Sequence, residues 1–63
     1  MHMMDWLQEE AHLSDASAHA LAADLVQLGA LSIQELAVDD WAGLPSWGSL
    51  KLFEQRRLLK AIS

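Results

Sequence analysis

Leu50-Lys51-Leu52-Phe53-Glu54-Gln55-Arg56-Arg57-Leu58-Leu59-Lys60-Ala61-Ile62 decides the reading of this chain. It holds no Gly or Pro, and on a 3.6-residue wheel Leu52, Leu58, Leu59 and Ile62 fall within one broad arc, so the stretch predicts a helix that closes a core. The same stretch carries all four Lys and Arg residues of the protein, Lys51, Arg56, Arg57 and Lys60. The wheel spreads them over the side away from that arc, with Phe53 among them. One face is therefore expected to seal the core and the other to offer a cationic, partly apolar surface.

Working outward, the remaining 50 residues hold eight acids and neither Lys nor Arg, the acids being Asp5, Glu9, Glu10, Asp15, Asp24, Glu35, Asp39 and Asp40. The net charge of −5 thus conceals two complementary halves, which can be satisfied within one molecule or between molecules. A chain of 63 residues forms one domain at most and lies near the lower limit for a fold held by its core alone. It has no cysteine, so neither a disulfide nor a thiolate metal site can staple it. Its size leaves little room for a deep substrate pocket, which argues against an enzyme. No apolar run approaches the roughly 20 residues of a membrane span, and the N-terminus lacks the pattern of a signal peptide. The expectation is an intracellular protein, cytoplasmic or nuclear. Residues 1–4 are read as a disordered or cloning-derived N-terminus and residues 5–63 as the helical domain.

Capping signals divide that domain. Asp5, with Gln8 three residues on, predicts the start of a short helix from about Trp6 to His12. Ser14 caps a second helix, about Asp15 to Leu28, with Ala18, Leu21, Leu25 and Leu28 inward and Gly29 as its left-handed stop. Ser32 and Glu35 form a capping box for a short third helix. Asp39 or Asp40 caps a single turn that ends at Gly43. Pro45 to Ser49 reads as a loop, with Ser46 or Ser49 capping the last helix. No stretch alternates as a strand does, so the prediction is all-α: five helices, the third and fourth very short.

Trp6-Leu7, then Asp40-Trp41 with Leu44, then Arg57-Leu58-Leu59-Lys60-Ala61-Ile62 give an order of signals that resembles the sterile alpha motif (SAM) domain family. The resemblance covers nearly the whole chain through pieces that are each weakly specific. Small residues from His19 to Ala23 replace the family's aromatic in the second helix, Trp41 stands where Leu is usual, and the link after Leu44 is longer. Such a likeness implies a compact five-helix bundle with a long C-terminal helix, serving as a protein-interaction module that associates head to tail. The acidic surface would be Glu35, Asp39 and Asp40. The basic surface would be Lys51, Arg56, Arg57 and Lys60, with Phe53 as its apolar anchor.

The same residues allow other assignments. The basic helix could instead dock a different protein carrying a helical interaction domain, or be a solvated face whose charges suit the helix dipole. A small nucleic-acid binder of the helix-hairpin-helix type needs a surface that neutralises several phosphates, and four bases against nine acids argue against it. Trp6 and Trp41 are expected in the core, while Trp47 either lids it or stands exposed for a partner. His12 and His19 lack a third ligand for zinc, and no Ser, His and Asp are held as a catalytic triad requires. No cofactor and no small-molecule substrate are expected.

Overall fold

The computed structural model describes residues 3–62, and helices run Met3–Glu9 (α1), Asp15–Gln27 (α2), Val38–Ala42 (α3) and Leu52–Ile62 (α4). Two 3₁₀ turns, Ile33–Glu35 and Pro45–Ser49, fill the connections on either side of α3. The described residues contain no strand. The described residues are thus all-helical, with four α-helices where five were expected. The third expected helix is a 3₁₀ turn, and the expected loop at Pro45 is a second one.

Each start and stop has a local cause. The α2 N-cap is Ser14, whose hydroxyl accepts from the Ser17 N–H at 3.2 Å. Its far end closes in a Schellman motif: Ala30 N–H donates to the Leu25 carbonyl at 2.9 Å and Gly29 N–H to Val26 at 3.0 Å. Gly29 holds φ +84°, a conformation that costs an L side chain about 1–2 kcal/mol. Glu35 accepts the backbone N–H groups of Leu31 and Ser32. Asp40 accepts from Ala37 N–H at 2.9 Å and so opens α3, whose C-cap is Gly43.

The N-terminal segment departs from its expected course. Helix α1 begins at Met3, upstream of Asp5, so Asp5 lies in the first turn and is not the cap. Met3 and Met4, placed by the sequence in the N-terminus ahead of the domain, are helical and pack against the core; residues 1 and 2 lie outside the described residues. Gln8 is not part of a capping box but donates to Asp15 at 2.9 Å, tying α1 to α2. The chain then turns through His12, whose φ of 53° is in the left-handed region.

Leu7, Ala11, Leu13, Ala18, Leu21, Leu25, Trp41, Leu44, Leu50 and Leu58 form a single buried cluster to which all four α-helices contribute or connect. Trp6 stacks on Trp41 with ring centroids 6.0 Å apart, joining α1 to α3. Trp47 is half-buried against the same cluster, so of its two expected positions it takes the inner one. The Cα radius of gyration of 10.1 Å compares with roughly 11 Å for a compact chain of this length, so these elements pack as one body.

Candidate functional site: the two faces of the last helix and an acidic groove

Helix α4 is rotated from the orientation its leucines suggest. Leu58 is fully buried, but Leu52 is 56% and Leu59 41% exposed. The inward stripe is instead Glu54, Leu58, Ala61 and Ile62. Glu54, the one acid within the basic segment, is only 6% exposed. Its carboxylate accepts from Ser14 N–H at 3.2 Å, from the Ser17 hydroxyl at 3.1 Å and from Lys51 N–H at 3.3 Å. The first two donors belong to the start of α2 and the third precedes α4, so one carboxylate caps two helix starts. Burial alone would raise its pKa; the backbone N–H groups of Ser14 and Lys51 and the serine hydroxyls outweigh this and hold it below the ordinary value. Neither Ser46 nor Ser49 caps α4, because the 3₁₀ turn carries both away from its first turn. Ser46 N–H instead donates to Asp24 at 2.7 Å, and Gln55 donates to the Trp47 carbonyl at 2.9 Å. Glu54 stands three residues after Lys51, but Lys51 is neither Ser nor Thr, so the sequence carries no capping-box signature there.

The five residues assigned to the basic surface divide into two places. Lys51 and Arg57 line a hollow with His12, Ser14, Ser17 and Glu54. There Arg57 Nε donates to the His12 carbonyl at 3.2 Å, satisfying the strained turn. Phe53, Arg56 and Lys60 lie on the outer face of α4 beside Leu52 and Leu59. Phe53 is 63% exposed, and the Arg56 guanidinium sits over its ring at 5.3 Å. This outer face is more apolar than the sequence suggests, since two leucines assigned to the core belong to it.

Glu35, Asp39 and Asp40 do come together. All three line an open groove of about 510 Å³ with Leu28, Leu36 and Leu44, and no residue of α4 lines it. Glu35 and Asp40 spend part of their accepting capacity on backbone N–H groups. Leu28, expected inward, is 70% exposed, because α2 ends at Gln27 and the Schellman turn directs the next residue outward.

Among the described residues, no three His, Asp or Glu side chains converge as a metal site requires, and no helix is long and apolar enough to cross a membrane. Comparison of the chain with known protein families, characterised proteins and solved structures yields no match.

Proposed function

We propose that this chain is a SAM-like association module that binds a second copy head to tail, the acidic groove of one copy receiving the basic outer face of α4 from the next. The observation that carries the reading is the clustering of Glu35, Asp39 and Asp40 around one groove, with Phe53 and Arg56 exposed on a helix that contributes nothing to it. An all-helical body of four α-helices, with a 3₁₀ turn on either side of α3, is compatible with this reading.

Exposed ion pairs contribute only about 0.2–1 kcal/mol each, so charge steers and orients the contact. Most of the affinity comes from apolar burial, about 1.5–3 kcal/mol for a side chain the size of Phe53. Two different surfaces meet in such a contact, which makes it heterologous; it closes into a ring or propagates as a filament according to the rotation between copies.

Sedimentation velocity across concentration, at low and high salt, tests this reading. Arg56→Glu and Asp39→Lys should each yield monomers, and the two variants mixed should pair as dimers through their one intact interface. A wild-type chain that stays monomeric at high concentration in low salt would refute it.

A further inference from the structure

The large apolar side chains exposed among the described residues fall into two groups, with Val38 apart: Leu52, Phe53 and Leu59 on α4, and Val26, Leu28 and Leu31 where α2 ends. The second group was not foreseen. Val26 is 69%, Leu28 70% and Leu31 89% exposed. Leu28 lines the acidic groove and Leu31 lines a second hollow beside Met3, Met4 and Asp5. Gly29 and Ala30 border both hollows, so the turn from Leu28 to Leu31 is a ridge between them.

We infer that this ridge is the seat for α4 of the second copy, and that it, more than the carboxylates, determines affinity. The inference rests on the head-to-tail reading and names the apolar half of its acceptor surface. Three observations select the occupant. The ridge is bordered by acids on both sides, Asp5 on one and Glu35, Asp39 and Asp40 on the other, and the α4 outer face carries Arg56 and Lys60. That face also carries exposed apolar side chains, Leu52, Phe53 and Leu59, matching leucines to leucines. Finally, Glu35 and Asp40 are already engaged by Leu31, Ser32 and Ala37 N–H groups, which leaves them as a negative border more than as direct partners for a cation. Association is then steered by charge and held by the ridge, so it persists at high salt and is weakened by ridge substitutions.

The chain has no native cysteine, which permits a direct test. Leu31→Cys and Leu52→Cys chains, mixed under mild oxidation, should give the mixed disulfide dimer in preference to either homodimer. In sedimentation equilibrium, Leu28→Ser/Leu31→Ser should raise Kd about tenfold or more at both salt concentrations, while Val38→Ser, away from the ridge, should leave it unchanged. Both ridge positions are exposed, so thermal melts should match wild type; Leu31→Gln alone serves should the double variant melt early. A wild type that associates while the ridge variants associate equally well, or a mixture that yields only homodimers, would overturn the inference and leave the head-to-tail reading standing. A monomeric wild type would overturn both.

Discussion

Replacing Glu54 should cost more than replacing any other charged residue of the chain. The carboxylate is 6% exposed and accepts from Ser14 N–H, Ser17 hydroxyl and Lys51 N–H at 3.1–3.3 Å. Glu54→Ala leaves two backbone donors at helix starts without their partner and opens a small void. Lost capping costs about 1 kcal/mol per helix start, and hydrogen bonds to a charged acceptor about 1.5–3 kcal/mol each before solvent replaces some of them. A net loss of about 3 kcal/mol follows. A domain of this length is stable by roughly 3–9 kcal/mol, so the variant should be marginal at room temperature. Glu54→Gln keeps the shape and one acceptor oxygen but turns an amide N–H₂ toward a donor, and should lose about 1–2 kcal/mol. Ser17→Ala, which removes one of the three bonds, should lose about 1 kcal/mol. Urea titration reads these losses as a fall in midpoint at unchanged slope. The dependence on pH gives a second readout. Because the folded value lies below the ordinary 4.5, the stabilisation from Glu54 is fully present above pH 4.5 and is lost as pH falls through the folded value. The stability difference between wild type and Glu54→Gln should therefore shrink toward low pH. Glu54→Ala and Glu54→Gln both within about 0.5 kcal/mol of wild type, the range of neutral surface changes, would refute the double-cap account.

Three further outcomes follow from the same structure. Gly29→Ala meets no atom within 4 Å, yet φ of +84° should cost it about 1–2 kcal/mol, read as a drop in melting temperature on the order of 4–16 °C. His12→Gly relieves the strain at φ 53° and should raise stability by up to about 1 kcal/mol, the gain reduced by the freer unfolded chain; a loss in the thermal melt would show that the His12 side chain matters. Trp41→Ala removes a side chain 1% exposed together with its stack on Trp6, and should cost about 3–5 kcal/mol, enough to abolish the cooperative melt.

What the sequence by itself determined is where α2 begins and ends and where the Ile33–Glu35 turn and α3 open, but not the start of α1 or the cap of α4. Ser14 and Gly29 bracket α2, Glu35 and Asp40 stand three or four residues after the N–H groups they accept, and each of these signals acts within about a single turn of chain. Such contacts are written in neighbouring residues and need no tertiary partner. The clustering of Glu35, Asp39 and Asp40 was legible for the same reason, since all three lie within six positions of one another. Only the tertiary structure decided which way α4 turns. Its apolar residues surround much of the wheel, so Leu52 and Leu59 made as good an inward stripe on paper as Leu58 and Ile62. The choice is made with Ser14 and Ser17, about 40 residues earlier in the chain, whose N–H and hydroxyl donate to the Glu54 carboxylate when it faces them. Turning Glu54 inward carries Leu52, Phe53 and Leu59 to the surface, and from that rotation comes the apolar face on which the proposed association depends.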